Sequence, residues 1–296
     1  RSGAHMDMSP GVNGTRRDFS GSVLANERLR AVIPGGAHTY AKGADQYPEG
    51  MAPVIARGKG AHVWDVDGNR YVEYGSGLRS VSLGHAHPRV IAAAAAAMEL
   101  GTNFARPSLI EAEAAEKLLS ILPQAEMVKF AKNGSDATTG AVRLARAVTG
   151  RDHVAICRDH PFFSVDNWFI GVSAMPAGIP KSTRSLTLTF RYGDLEGTRE
   201  LFETYAGQIA CIVLEAATTT EPPAGYFDGL RRLCDEHGVL LVLDEMITGF
   251  RWSIGGAQEV YGIEPDLSAF GKALGNGFAV SALAGRREYM RLGGMD

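Results

Sequence analysis

Lys272 stands in the stretch AFGKALGNG, residues 269–277, where small residues and glycines surround one long cation directly after an apolar run. An amine placed there can attack an electrophilic carbonyl, and the lack of bulk lets a ligand approach the backbone. Two acids, Asp244 and Glu245, end the apolar run in LLVLDEM, where a carboxylate can hold a cationic group. The stretch MVKFAKNGSDATTG leaves another apolar run through Asn133, Gly134 and Ser135 and enters a helical pattern. Free N–H groups at a helix N-terminus, with a glycine for close approach and a hydroxyl alongside, make a seat for phosphate. Taken singly, these features are a helix cap, a solvated strand end and a surface lysine. Their order and spacing carry more: one ligand with a phosphate, a group that needs an anionic partner, and an electrophile for the lysine.

Groups so far apart in sequence need a scaffold that gathers them. From about Pro107 the chain alternates helical segments with the short apolar runs MVKFA (127–131), HVAIC (153–157), CIVLE (211–215), VLLVLDE (239–245) and DLSAF (266–270). Helical segments such as DATTGAVRLARAVTG and GYFDGLRRLCDEHG lie between them. This alternation predicts an α/β fold with a mostly parallel central sheet flanked by helices. Ligands of such sheets gather at the carboxyl ends of the strands, the edge where Gly134, Asp244 and Lys272 then meet. Pyridoxal 5'-phosphate satisfies all three demands. Its aldehyde forms a Schiff base with a lysine, its phosphate suits a helix N-terminus, and a buried carboxylate keeps its ring nitrogen protonated so that the ring accepts electrons.

The N-terminal part reads differently. SVLANERLRAVI has helical spacing and stops at Pro34-Gly35-Gly36, and AHVWDVDGNRYVEY is a hairpin about Asp67-Gly68. Asp65, Asp67 and Asn69 superficially resemble a calcium loop, but Arg70 stands where that motif needs glycine, so the turn is preferred. His85 and His87 in GHAHP have no carboxylate or thiol at ligand spacing, and no metal is expected. The run VIAAAAAAM (90–98) is far too short to cross a bilayer and reads as an ordinary buried helix.

Thirty Lys+Arg against 33 Asp+Glu give a net charge of -3 without a basic block, which argues against a nucleic-acid partner. Three cysteines, Cys157, Cys211 and Cys234, lack CxxC spacing and read as reduced core residues of a cytoplasmic protein. The opening RSGAHM has the look of an expression-tag remnant.

From about Glu27 onward the chain resembles the class III (fold type I) PLP-dependent aminotransferases, nearest to their glutamate-1-semialdehyde-type aminomutases. The likeness rests on IPGGAHTY, VWDVDGNRYVEY, LGHAHPRV, RLARAVTGRD, LLVLDEMITGFR, GAQEVYGIEPDL and FGKALGNG. It implies Lys272 as the Schiff-base lysine, Asp244 as the partner of the ring nitrogen and Gly134 with Ser135 as the phosphate pair. Met246 would back the ring where the family commonly has valine. Glu215 matches the glutamate of the family's Glu-Pro strand end, although Ala216 follows it here. The family's Tyr-His-Gly is replaced within RDHPFFSVDNW, so Phe162, or Phe163 with a one-residue shift, takes the stacking position. The family's Gly-Asn gives way to TTTEPPAG. Leu78 and Arg79 stand where the aminomutases have tryptophan and glycine, and Lys42 aligns with an arginine of their glycine loop. Thr39, Lys42 and Arg79 are accordingly the substrate-binding candidates, and two cations suggest an acidic small molecule; Arg79 reads equally as a solvated surface charge.

The resemblance implies transfer of an amino group from a small-molecule donor to a carbonyl acceptor. The alternatives are an intramolecular 2,1-aminomutase and, less favoured, a non-catalytic protein of the same fold; the order of a nucleotide-binding P-loop is missing around Lys272. It implies an N-terminal segment, 7–74, belonging to a small domain, and a large cofactor-binding domain, 75–296. It also implies a homodimer with shared active sites, and leads to the expectation that a C-terminal small domain is absent from this chain.

Overall fold

The structure, a computed structural model, describes residues 17–294. The proposed tag remnant and Asp296 lie outside the described residues. Two compact units are present: residues up to Tyr74 with Gly84–His87, and Gly75–Leu83 with the chain from Pro88 onward.

In the first unit the helix Ser20–Val32 stops before Pro34, as its sequence predicts. Its free N-terminal N–H groups are met from a distance: the Asp67 carboxylate accepts from Gly21 N–H at 2.6 Å and from Ser22 N–H at 2.8 Å. Strands β1 (Ile55–Lys59), β2 (His62–Asp65) and β3 (Arg70–Val72) form an antiparallel sheet in that order. The Asp65 carboxylate accepts from the Asn69 backbone at 2.7 Å and from the Tyr71 hydroxyl at 2.7 Å. The acids of the loop that resembles a calcium site thus have oxygens engaged in building the turn and capping a helix. His85 pairs with Glu73 at 2.6 Å, and among the described residues no group of three His, Cys, Asp or Glu is placed to hold a metal ion.

The second unit is built on seven strands: β4 (Met127–Ala131), β5 (His153–Cys157), β6 (Thr187–Phe190), β7 (Ile209–Glu215), β8 (Leu240–Asp244), β9 (Leu267–Phe270) and β10 (Ser281–Gly285). Their order is β4-β10-β9-β8-β7-β5-β6. Only β10 runs against its neighbours, so β4 points the same way as β5 to β9. Every residue of β7, β8 and β9 is buried, as expected for strands covered on both faces. Helices Gly134–Thr149, Leu195–Thr204 and Tyr226–His237 turn apolar sides to this core, and Gly150 (φ 64) and Gly238 (φ 61) close the first and third in left-handed geometry. The three cysteines are free and buried.

One expectation fails here. The alanine-rich helix Pro88–Glu99 has no buried residue. Its run of small side chains reads as core from composition, but among the described residues none of its side chains is buried, and Ile91 and Met98 stay exposed. Among the described residues no helix is long and apolar enough to cross a membrane.

Candidate active site

The strands that run together release their carboxyl ends at one edge, and a cavity of about 440 Å³ opens there. Its wall includes Gly134, Ser135, Phe162, Glu215, Asp244, Met246 and Lys272, all seven cofactor-site candidates, together with Asn133, Phe163, Val165 and Ile247. Each is placed by a strand end. Asp244 closes β8 and sits in register with Ala269 of β9, which delivers Lys272 two residues after its last position. Glu215 closes β7 in register with Asp244. β4 leads to the helix Gly134–Thr149, whose start is fixed by a capping box: the Asn133 side chain accepts from Asp136 N–H at 3.1 Å, and Asp136 accepts from Asn133 N–H at 3.2 Å. The Ser281 hydroxyl of β10 ties down the Asn133 carbonyl at 2.6 Å.

Met246 explains two of the glycines. A Cβ on Gly134 would meet its sulfur at 2.8 Å, and one on Gly271 at 2.6 Å. The thioether is therefore packed between the helix start and the backbone that carries Lys272, behind the cavity. The Ser135 hydroxyl accepts from Val165 N–H at 3.0 Å, which leaves its own proton free to donate.

Three ionisable groups line this cavity, Glu215 and Asp244 buried and Lys272 half-buried. Burial pushes the Asp244 carboxyl up to about 7, against the stabilising Met246 N–H at 2.8 Å and the charge of Lys272. Burial, and then repulsion from Asp244, push Glu215 up to about 8. Lys272 is lowered, first by burial; Asp244 and Glu215 oppose that shift, while Arg79 and Arg251 add to it. Among the described residues Lys272 makes no ion pair, so its amine is available to a ligand. Glu245, next to Asp244, faces the other way. Fully buried, it accepts from Ala257 N–H at 3.0 Å, from Gln258 N–H at 2.8 Å and from the Thr248 hydroxyl, and so caps the helix Ala257–Tyr261.

The loop after β5 supplies the remaining wall. Thr138 of the helix donates to the Phe163 carbonyl at 2.8 Å, and the Trp168 indole donates to Thr139 at 3.0 Å, so the loop is laced to the helix start. Phe163 is 2% exposed and belongs to the core, whereas Phe162 is 49% exposed and meets Phe169 edge-on at 5.4 Å.

The match to known proteins covers this whole site. The family model "Aminotransferase class-III" matches residues 44–294. The chain belongs to the class III aminotransferases. Glutamate-1-semialdehyde 2,1-aminomutase of Desulfitobacterium hafniense is 40% identical over 91% of this chain and 65% of its own length. Among solved structures, an omega-transaminase from Sphaerobacter thermophilus is 28% identical with a TM-score of 0.83, covering 90% of this chain and 64% of that one. A transaminase solved with PLP bound is 29% identical with a TM-score of 0.85, covering 92% and 66%. The chain thus spans about two thirds of the length of these relatives.

The substrate-binding candidates divide between the two units. Thr39 and Lys42 are exposed residues of the first unit. Arg79 belongs to the second unit and does not line the cavity, although its charge lowers both Glu215 and Lys272. It ends a run of left-handed backbone, Ser76 (φ 45), Gly77 (φ 58), Leu78 (φ 57) and Arg79 (φ 67), unfavourable by about 1–2 kcal/mol at each residue other than glycine. The Arg251 guanidinium donates to the Arg79 carbonyl, and its Nε donates to the carbonyl of Ile247, a cavity residue, at 2.9 Å. Sequence reading placed Asn133 ahead of the phosphate pair without making it a site residue, and passed over Val165 and Ile247. An asparagine ahead of Gly-Ser is a recognisable N-cap; nothing in the sequence marks the other two.

Proposed function

We propose that this chain holds pyridoxal 5'-phosphate and transfers an amino group to the carbonyl of an acidic small molecule. One observation carries the reading: the amine of Lys272, the buried carboxyl of Asp244 and the N-terminus of helix Gly134–Thr149 open on a single cavity. The residues fit the group. Asp244 has one oxygen engaged by Met246 N–H and a carboxyl raised by burial, which a cationic ring nitrogen would offset, and Gly134 and Gly271 leave room for the Met246 sulfur behind the cavity. When bound, the cofactor supplies an aldehyde for the amine and a cationic ring that takes up electrons from a breaking bond. Gly134 and Ser135 would receive the phosphate through N–H groups and the free Ser135 proton. Met246 would back the ring, with Phe162 on the other face in preference to Phe163. Asp244 would hold the proton on the ring nitrogen. Burial lowers Lys272, which raises the fraction of neutral amine able to take the proton from the substrate carbon and return it elsewhere.

Arg79, joined through Arg251 to the cavity wall, supports an acidic substrate. The 40% identity to an aminomutase supports a second reading, return of the amine to a neighbouring carbon of the same molecule. A product assay with and without an added amino donor separates the two. The exposed apolar face of Pro88–Glu99 supports a homodimer with shared sites, and the three free buried cysteines support a cytoplasmic setting. The reading is tested by borohydride reduction and peptide mapping. The label is expected on Lys272 alone, and label on another lysine overturns it.

A further inference from the structure

The His160 ring lies buried between two aromatics, with Tyr192 at 5.0 Å between centroids and Phe163 edge-on at 6.2 Å. Its Nδ1 accepts the N–H of Glu215 at 3.0 Å. A ring nitrogen that accepts carries no proton, so the imidazole is neutral and protonated on Nε2; burial holds it so, with its pKa pushed down to about 4. One residue further, the Tyr192 hydroxyl donates to the Ala216 carbonyl. Tyr192 is tethered in turn, its N–H donating to the Asp159 carboxylate at 2.8 Å. Side chains therefore hold the backbone on both sides of the last residue of β7.

We propose that His160, with Tyr192, is a positioning residue that fixes the end of β7 and so keeps the Glu215 carboxyl beside Asp244 at the cavity wall. Where the strand ends, a movable backbone would let Glu215 turn away from Asp244. Asp244 raises the Glu215 carboxyl and Lys272 lowers it, so the place of Glu215 bears on the charge that the cavity wall presents to a bound ring. This consequence rests on the cofactor reading above; the clamp itself does not.

Two measurements test it. Nitrogen-15 NMR of the histidine-labelled 296-residue chain at neutral pH should show His160 as the Nε2–H tautomer, and the Nδ1–H tautomer overturns the clamp whether or not cofactor binds. In the loaded enzyme, His160→Leu keeps volume but leaves a buried N–H without an acceptor, whereas His160→Asn offers an oxygen near the Nδ1 position. His160→Leu should lower kcat about tenfold at unchanged KM and shift the visible band, with His160→Asn restoring most of both. In a Glu215→Gln background, His160→Leu should have little further effect. Equal losses in both backgrounds, or an asparagine no better than leucine, would assign His160 to packing alone. Should the leucine variant fail to fold, Tyr192→Phe removes the other half of the clamp and is read the same way. A wild-type chain without a visible band or borohydride label sinks the cofactor reading only, and the tautomer still decides the clamp.

Discussion

The carboxyl edge of β7 to β9 and the stretch 88–110 both start from apolar sequence and end in opposite surroundings. At the first, acids that favour water are buried: Glu215 and Asp244 are each 3% exposed. At the second, side chains that avoid water are open to it: Ile91, Met98, Leu100, Phe104, Leu109 and Ile110 are all exposed. Hydrophobic composition says that a segment seeks cover without saying what covers it. Buried acids with few partners are the more informative anomaly, because their desolvation is tolerated only where something offsets it.

Within the first region the largest expected effect is that of Lys272→Ala, which should abolish borohydride labelling and lower amino transfer about a thousandfold or more. Asp244→Asn should keep the cofactor yet lose about a hundredfold in turnover, since a neutral amide cannot hold the ring proton. Its neighbour sharpens the contrast. Glu245→Gln should leave turnover within a few-fold but lower stability by about 1–3 kcal/mol, because Glu245 caps a helix away from the cavity. If the two acids exchanged these phenotypes, the assignment of the pocket to Asp244 would be wrong.

A smaller effect separates the empty pocket from the loaded one. Asp244 and Glu215 have folded pKa values of about 7 and about 8, above their ordinary values of 3.8 and 4.5. A raised value means that the folded state binds the proton more tightly, so the contribution to stability is full below about pH 4 and is lost as pH rises through the folded values. Cofactor-free protein should accordingly lose on the order of a few kcal/mol between about pH 4 and pH 8. Glu215→Gln should flatten the upper part of that slope, and the cofactor, by giving Asp244 a cationic neighbour, should remove most of Asp244's share. Thermal melts across that range, with and without cofactor, decide it; identical slopes would show that no cation reaches Asp244.

How far each region was legible follows from the same physics. The runs at 127–131, 153–157, 211–215, 239–245 and 266–270 are rich in Val, Ile, Leu or Phe and emerge as strands close to those bounds. β10, SALAG, has only Leu283 among small residues, and its place between β9 and β4 is decided by tertiary pairing that no local pattern announces. β6, only TLTF, is too short to stand out. Lys272, Asp244 and Gly134 were readable because a charged residue or a glycine follows directly where an apolar run stops. His160 and Tyr192 were not, since their roles depend on which backbone groups a distant strand leaves to be satisfied. Pro88–Glu99 misled because alanine runs fit a buried helix and an uncovered one equally well.

The smallest effect is expected where the second region is most exposed. Ile91 and Met98 are seven residues apart and share a helix face, at 47% and 55% exposure. Among the described residues Ile91 is not buried, so Ile91→Ser should change a monomeric sample by no more than about 0.5 kcal/mol. If a second copy covers this face, the same substitution weakens association, and at working concentration the apparent stability falls with the dimer. Denaturant midpoints at several protein concentrations, paired with light scattering, separate the two cases. A midpoint independent of concentration with a loss of about 2 kcal/mol or more would mean that the helix is packed within a single chain, and the contrast between the two regions would collapse. A shift to smaller size with little intrinsic loss would keep it, and would identify the exposed alanine-rich helix as a surface made for another copy of the protein.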